Sequence, residues 1–281
     1  MDSLKPVALI TGASSGIGLS TALKLIDLGY IVYGAARRLE LMQPIKEAGG
    51  HILSLDFYNE NSVRECVNSI IRQSGRIDVL INNAGFGLGG NIESVSIQEA
   101  KKQFEVNVFG LSLITQLVLP YMRKQKSGRI INISSIAGFF STPYMGWYHA
   151  SKYSVEALSD ALRMEVKPFG VKVSVIEPGL IQTNWGKIAA EHIISATENT
   201  DYKNPGQRTA DFYKHFYCSK KKITPPEIVT KKIVKAACTK HPKKRYRVGK
   251  YSSLFIFTRK ILSDTAMDTI ISIVYGLNKE L

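Results

Sequence analysis

Cysteine is scarce in this 281-residue sequence, and long apolar runs are missing from it. The three cysteines, Cys66, Cys218 and Cys238, are far apart and odd in number, which excludes a disulfide framework and a cysteine-based metal site. No uninterrupted apolar stretch approaches the roughly 20 residues that a membrane-spanning helix needs. No charged leader with a cleavage site precedes the first apolar run. We therefore expect a cytoplasmic protein without a metal, with peripheral membrane contact left open.

Acidic residues are scarce in one region. The formal net charge is +14, and the segment from Ser219 to Lys260 holds fourteen Lys and Arg but a single acid, Glu227. Such a region suits an anionic partner, either an anionic membrane or a phosphate-bearing substrate, and it equally suits a solvated face. No recognised nucleic-acid-binding module accompanies the charge, so we expect no nucleic-acid partner.

Short apolar segments alternate with helix-length segments up to about residue 180. The predicted strands are residues 7–11, 30–35, 51–55, 78–82, 129–134 and 171–177, with 245–249 as a late edge strand, and the predicted helices are 17–28, 62–73, 98–124 and 151–167. Buried strands that alternate with helices indicate βαβ units. The sequence thus predicts an α/β fold, a doubly wound Rossmann-type parallel sheet in a single domain.

Two regions depart from this alternation. Residues 184–222 are polar and predicted to be a loop-like lid, within which Phe212, Tyr213, Phe216 and Tyr217 would line one face of a short helix. Residues 223–281 form a basic C-terminal extension that ends in an amphipathic tail, which we expect to pack on the same domain. Residues 1–183 would then be the dinucleotide-binding and catalytic core.

A glycine-rich turn, "TGASSGIG", joins the first predicted strand to the first predicted helix. Glycines allow a tight turn and close backbone approach, and the helix N-terminus offers free N–H groups to a pyrophosphate. The alternative is a turn without a ligand. The candidate phosphate-binding residues are Gly12, Ser14, Ser15, Gly16, Ile17 and Gly18.

The end of the second strand distinguishes the two nicotinamide dinucleotides. An NAD site usually places an acid there, whereas this chain has Ala36, Arg37 and Arg38. Guanidinium groups suit a ribose 2′-phosphate, so NADP(H) is the predicted cofactor.

With these motifs the sequence resembles the short-chain dehydrogenase/reductase family over nearly all of residues 5–183. The motifs that carry the resemblance are "TGASSGIG" (11–18), Asp56, "NNAG" (82–85), "NVFG" (107–110), "NISSIAG" (132–138), "YHASK" (148–152) and "PGLIQT" (178–183). The family commonly forms homodimers or homotetramers through helices that correspond to residues 98–124 and 151–167.

The resemblance implies four catalytic residues. Tyr148 would be the general acid/base. Lys152, one turn along the helix, would lower the phenol pKa from about 10, helped by the positive nicotinamide of the oxidised cofactor. Ser135 would donate a hydrogen bond to the substrate oxygen, and Asn107 would hold a water linked to Lys152. Tyr144, His149 and Tyr153 lack the four-residue offset to the lysine, so we expect them to be packing or pocket-wall residues.

Further cofactor contacts follow from the same resemblance. Asp56 would accept a hydrogen bond from the adenine amine, with Phe57 nearby. Two further sets of positions would contact the ribose and the nicotinamide. These positions are Asn83, Ala84 and Gly85 at the ribose, and Pro178, Gly179, Ile181 and Thr183 at the nicotinamide.

The sequence predicts the substrate only as an apolar or lipid-like carbonyl or alcohol compound. Residues 89–93, 139–147 and 212–217 suggest an apolar pocket. The C-terminal segment is similar to the branch with 17β-hydroxysteroid dehydrogenases, retinol dehydrogenases and acyl-dihydroxyacetone-phosphate reductase. Two hypotheses remain, an NADPH-dependent carbonyl reductase and a cofactor-binding regulator or scaffold that uses the basic surface. Because all four catalytic positions are retained, the enzyme is favoured.

Overall fold

A seven-stranded, entirely parallel sheet forms the centre of the molecule. The computed structural model describes residues 5–218, 223–250 and 252–277. The strands are β1 (Val7–Thr11), β2 (Ile31–Ala36), β3 (His51–Ser54), β4 (Val79–Asn82), β5 (Gly128–Ile133), β6 (Val171–Pro178) and β7 (Arg245–Val248), in the spatial order β3-β2-β1-β4-β5-β6-β7. All pairings are parallel, and the predicted doubly wound Rossmann-type fold is confirmed.

Helices cover both faces of this sheet. They are α1 (Gly16–Asp27), α2 (Gln43–Glu47), α3 (Glu60–Ser74), α4 (Ile97–Phe104), α5 (Leu111–Gln125), α6 (Gly146–Glu165), α7 (Trp185–Thr197), α8 (Lys203–Cys218), α9 (Pro226–Cys238), α10 (Ser252–Ile261) and α11 (Asp264–Tyr275). The core on one face includes α1, α2 and α9, and that on the other includes α3 and α5. Burial of near-continuous apolar strands between these layers supplies the main stabilisation.

The long predicted helix at 98–124 contains a change of helix type. A π-helical segment, Glu105–Gly110, joins α4 to α5 and carries Asn107. The stretch Ile97–Gln125 is long and apolar enough by length and composition to cross a membrane. In this fold its residues Ile114, Val118 and Met122 are fully buried against the sheet, so they are part of the core.

The prediction of a loop-like region at 184–222 is wrong for most of its length. Residues 185–197 and 203–218 form the packed helical pair α7 and α8, and residues 219–222 lie outside the described part of the chain. Small and apolar residues on the inner side, Ala189, Ala190 and Ile193, are completely buried. The polar majority faces outward, which concealed the helical pattern. The helix expected around the 212–217 aromatics is confirmed within α8.

The C-terminal part of the chain completes the sheet and then adds a helical hairpin. α9 packs on α1, and β7 adds a parallel edge strand beside β6, as predicted for residues 245–249. α10 and α11 follow as two short helices, and Ile256 and Met267 bury their side chains against Ile136 and Phe140. The expected packing of the tail on the same domain is therefore observed.

Candidate active site

A large cavity of about 770 Å³ opens at the carboxyl ends of the strands. This edge includes the point between β1 and β4 where the strand order reverses, and α/β sheets bind ligands in such a crevice. Every residue predicted for the site lines this cavity except Gly18 and Asn107, which lie just behind its wall. The fold therefore brings the sequence motifs together around one space.

The turn after β1 requires glycine at specific positions. Gly12 and Gly16 have φ values of 67° and 55°, which favour glycine. A Cβ on Gly18 would lie 2.3 Å from the carbonyl oxygen of Gly12, so no side chain fits there. Ser15 precedes α1 without a side-chain cap on the first-turn N–H groups. A helix start with such N–H groups fits a phosphate.

Asn83 and Thr11 hold this turn in place. The Asn83 amide donates to the carbonyl oxygens of Thr11 and Gly12 at 3.0 and 3.1 Å, and the Thr11 hydroxyl accepts from the backbone N–H groups of Asn83 and Ala84. The Asn83 side chain thus supports the glycine turn at the end of β1 and lines the cavity, and its contact with an adenosine ribose stays a prediction.

Two arginines stand at the end of β2 beside the turn. The Arg38 guanidinium lies 3.5 Å from the Ser14 hydroxyl, and that of Arg37 lies 5.9 Å from the centre of the Tyr58 ring. Both side chains are exposed, line the cavity and form no ion pair with any described acid. This arrangement fits a phosphate on the adenosine ribose.

The end of the cavity that is predicted to bind adenine contains Asp56 and Phe57. One Asp56 carboxylate oxygen accepts from the backbone N–H of Tyr58 at 3.1 Å, which fixes its orientation. Phe57 packs against Gly110, where a Cβ would lie 2.4 Å from the ring. Both residues line the cavity as predicted.

Tyr148 and Lys152 lie one turn apart on α6, and Ser135 follows β5. The Tyr148 phenol is hydrogen-bonded to Ser135, and the Lys152 ammonium donates to the carbonyl of Ile133 at 2.9 Å. The Lys152 Nζ lies 5.8 Å from the centre of the Tyr148 ring. The helical repeat of α6 and the end of β5 therefore place Lys152 and Ser135 beside the same phenol, that of Tyr148.

Burial sets the pKa of this phenol in the protein alone, and the predicted lowering by Lys152 together with an oxidised nicotinamide stays a prediction. Burial raises the pKa of Tyr148 to about 12, and the hydrogen bond from Ser135 only partly opposes this. Burial also lowers the pKa of Lys152 to about 8, against the attraction of Glu156. The lysine is therefore a weaker stabiliser of a phenolate than its spacing indicates, because desolvation disfavours both charges.

Asn107 is buried in the π-helical segment and is held by protein groups. Its amide nitrogen donates to the carbonyl of Phe86 at 2.9 Å and to the Ser151 hydroxyl at 3.0 Å, while its oxygen accepts from the Phe86 N–H at 3.0 Å. Both amide donors are used, so a water link to Lys152 through this side chain could use only the remaining lone pair of the oxygen. The Asn107 side chain ties the loop after β4 to α6.

The other aromatic and titratable residues near Tyr148 have structural contacts. His149 is buried between the Thr142 hydroxyl and the Ala137 carbonyl, and burial lowers its pKa to about 4. Tyr153 is 41% exposed, and Tyr144 is buried and absent from the cavity lining. These positions agree with the expectation that none of the three competes for proton transfer.

Beyond Tyr148 the cavity widens into an aromatic chamber, which we define as Trp185, Phe212, Tyr213, Phe216, Tyr217 and Tyr275. The Trp185 ring centre lies 5.0 Å from that of Tyr148. A Cβ on Gly87 would be 2.5 Å from the Trp185 ring, so glycine makes room for the indole. The sequence analysis missed Trp185. The one sequence signal that could have identified Trp185 as a cavity residue is its position two residues after Thr183.

The residues that line the cavity differ in part from those predicted for the pocket wall. Residues 89–93 do not line the cavity, whereas Phe140, Thr142 and Met145 of the 139–147 segment do. The helical hairpin supplies the remaining wall with Leu254, Phe255, Thr258, Met267, Ile270, Ile271 and Val274. At the nicotinamide end, Pro178, Gly179, Ile181 and Thr183 line the cavity, and the Thr183 hydroxyl accepts from the Trp185 N–H at 3.3 Å.

An ion cluster behind Lys152 joins three elements of the fold. Arg245 on β7 contacts Glu156 and Asp160 on α6 at 3.1 and 2.7 Å, and Glu177 on β6 at 3.0 Å. Arg247 also contacts Glu177, whose side chain is fully buried. Burial and the neighbouring Glu156 raise the pKa of Glu177 to about 7. Two arginines of the basic region are therefore used internally.

Neither a metal cluster nor a disulfide occurs among the described residues. No group of three or more His, Cys, Asp or Glu side chains in this part of the chain could hold a metal ion. Cys66 is buried and free, and Cys238 is exposed and free.

Comparison with known proteins identifies the family. The family model described as short chain dehydrogenase matches residues 6–193. This chain belongs to the short-chain dehydrogenase family. It is therefore an oxidoreductase of that family.

Several short-chain dehydrogenases match nearly the whole chain. The 3-ketodihydrosphingosine reductase of Bacteroides thetaiotaomicron is 39% identical over 274 residues, 96% of this chain and 98% of its own. The NADPH-dependent 3-dehydrocapnine reductase of Ornithobacterium rhinotracheale is 36% identical over 273 residues, 94% and 95% of the two chains. A short-chain dehydrogenase crystal structure from Streptomyces avermitilis has a TM-score of 0.78 at 29% identity and covers 99% of this chain and 100% of its own.

Proposed function

We propose that this short-chain dehydrogenase uses NADPH to reduce a ketone carried by an apolar, lipid-like molecule. The observation that carries the proposal is the position of Tyr148. Its phenol stands where the glycine-turn end of the cavity meets the aromatic chamber. A carbonyl group presented to the phenol would leave an apolar chain in the chamber.

The choice of NADPH rests on the end of β2. Arg37 and Arg38 offer two guanidinium groups beside the Ser14 hydroxyl, and the strand ends without the acid that would bind a ribose 2′-hydroxyl. Gly12, Gly16 and the start of α1 would hold the pyrophosphate. A relative that is itself named NADPH-dependent supports the same choice.

The bound nicotinamide would supply the hydride to the carbonyl carbon. Tyr148 would donate the proton to the carbonyl oxygen, and Ser135 would donate a hydrogen bond to the same oxygen. A phenol with a raised pKa suits this direction, because reduction needs the protonated form. Burial therefore favours the protonated phenol, which is the form that donates the proton in the reduction.

Lys152 and Asn107 would support this proton donor. The Lys152 ammonium donates to the Ile133 carbonyl and lies 5.8 Å from the centre of the Tyr148 ring. There it would stabilise the negative charge left on the phenolate. Asn107 keeps the loop after β4 against α6 through Phe86 and Ser151.

The substrate class rests on the chamber and on the relatives. Six aromatic side chains and the apolar wall of the helical hairpin surround a mostly apolar space, in which the Tyr213 and Tyr275 hydroxyls are hydrogen-bonded to each other. Two relatives at 36–39% identity are named as reductases of 3-keto or 3-dehydro compounds. These names favour an enzyme over the alternative of a regulator or scaffold.

The test is an NADPH-oxidation screen of the purified protein. It would compare aliphatic ketones of increasing chain length, a steroid ketone, a retinoid aldehyde and a short polar ketone, each with NADPH and with NADH. We expect kcat/KM to rise with apolar chain length and to be higher with NADPH. Absence of turnover with every compound, or a preference for the short polar ketone, would contradict the proposal.

A further inference from the structure

The helical hairpin of α10 and α11 leaves an unusual amount of apolar surface uncovered. Among the described residues, its large apolar side chains that are at least one-third exposed are Leu254, Phe255, Phe257, Ile261, Ile270, Ile273 and Val274. Phe257 and Ile273 are 58% and 62% exposed. Single exposed apolar residues are ordinary on a protein surface, but a group on two adjacent helices marks an interaction surface.

This apolar surface is continuous with the cavity. Leu254, Phe255, Ile270 and Val274 are exposed and also line the cavity. They therefore frame its mouth, while Ile256 and Met267 anchor the hairpin to the body of the protein. An apolar molecule could therefore pass from an apolar phase that contacts these residues into the chamber without entering water.

Basic residues accompany this surface. Lys260 is exposed on α10, and Lys214 is exposed on α8, next to chamber residues. The acids exposed on α11 are Asp264, which pairs with Arg259, and Asp268, so a small basic excess remains over α8, α10 and α11. Lysines beside an apolar surface favour an acidic phospholipid surface over a neutral one.

We propose that the hairpin of α10 and α11 docks on the surface of a bilayer that contains acidic phospholipid, so that the substrate enters the cavity directly from the membrane. Phe257 and Ile273 insert among the acyl chains and the lysines contact the headgroups. The inference rests on the proposed function only for the entry of substrate, because docking itself requires no turnover.

The docking test is flotation of the full-length protein with lipid vesicles. Vesicles of phosphatidylcholine with phosphatidylglycerol are compared with phosphatidylcholine alone. The variant Phe257→Ser/Ile273→Ser removes two exposed residues that do not line the cavity. The matched control is Phe169→Ser/Leu28→Ser, which removes side chains that are 41% and 48% exposed at the opposite edge of the sheet.

We expect the wild type and the control to float with the acidic vesicles. The hairpin variant should lose roughly tenfold or more of its vesicle partitioning. Equal flotation of both variants, or no flotation of the wild type, would overturn the proposal. Size-exclusion chromatography adds a further outcome: a wild-type dimer that does not float and that only the hairpin variant dissociates would show a second copy covering the surface.

A turnover measurement separates docking from the proposed function. With a long-chain ketone embedded in vesicles, the hairpin variant should lose most of its rate, whereas both variants should keep the wild-type rate on a short, water-soluble ketone. Flotation without turnover of any ketone would contradict the proposed function but not the proposed docking on the bilayer. Turnover of the embedded ketone at the wild-type rate by the hairpin variant would overturn entry from the membrane.

Discussion

The rings of Tyr148 and Trp185 lie with their centres 5.0 Å apart and their planes inclined by 52°. The proposed proton donor is therefore itself part of the wall of the aromatic chamber. The residue that would perform the chemistry is therefore in direct contact with the indole of the chamber wall.

Replacing Tyr148 with Phe tests the proton donor. The ring and its contact with Trp185 remain, but the hydroxyl that would protonate the substrate is lost. We expect kcat for ketone reduction to fall by about 10²–10⁴-fold, with the Kd for NADPH unchanged. Fluorescence titration gives the Kd and absorbance at 340 nm gives the rate. Retention of near-normal turnover would assign the proton to another group.

The double variant Arg37→Ala/Arg38→Ala tests cofactor choice. Removing two guanidinium groups beside the glycine turn should weaken NADPH binding by about 2 kcal/mol, or roughly 30-fold. NADH binding should change by less than roughly threefold, since NADH has no 2′-phosphate. Titration calorimetry with both nucleotides measures the two losses, and equal losses would contradict the NADP assignment.

Arg245→Met tests the ion cluster behind α6. The variant leaves Glu156 and Glu177 buried, with Glu177 facing only Arg247, and should lower the free energy of unfolding by about 3–5 kcal/mol near pH 8. The pKa of Glu177 is raised to about 7 from about 4.5, so its contribution to stability is complete below pH 4.5 and is lost as the pH rises through 7.

The deficit of Arg245→Met relative to the wild type should accordingly be smaller at pH 5.5, where Glu177 is protonated. Urea unfolding at the two pH values measures this difference. Lys243→Met is the matched control, because Lys243 is an exposed basic residue two positions earlier and forms no ion pair with any described acid. A deficit that is independent of pH would place the loss in packing rather than in charge.

His149→Gln tests the buried imidazole. The pKa of His149 is lowered to about 4 from 6.5, so its neutral form contributes stability above pH 6.5 that is lost as the pH falls toward 4. The variant should be less stable than the wild type at pH 7, and the gap should narrow by about 2 kcal/mol at pH 5. A constant gap in unfolding free energy over this range would contradict the lowered pKa.

The sequence predicts the core of this fold well because two local signals agree there. Apolar strands are buried on both faces, and glycines such as Gly12 and Gly18 are required by backbone contacts that permit no side chain. The order of motifs along the chain then places Ser135, Tyr148 and Lys152 at one edge of the sheet. These features depend on short-range pattern, which a single sequence contains.

Other features depend on contacts between distant segments. α7 was not predicted because its buried face consists mostly of small residues such as Ala189 and Ala190. Trp185 acquires its role through contacts such as those with Gly87 and Tyr148, which are remote in sequence. The strong desolvation of Tyr148 and Lys152, which raises the pKa of the phenol and lowers that of the ammonium, is likewise not revealed by their spacing.

The last strand of the sheet carries the arginine that neutralises carboxylates on two earlier elements. During synthesis, Glu156 and Glu177 leave the ribosome some 70–90 residues before Arg245 does. Until Arg245 is made, a nascent chain can bury these carboxyl groups only unpaired or protonated, so we expect the proposed catalytic helix to dock fully only once β7 has been made. Deletions that remove β7 should therefore yield aggregating protein rather than a smaller working enzyme.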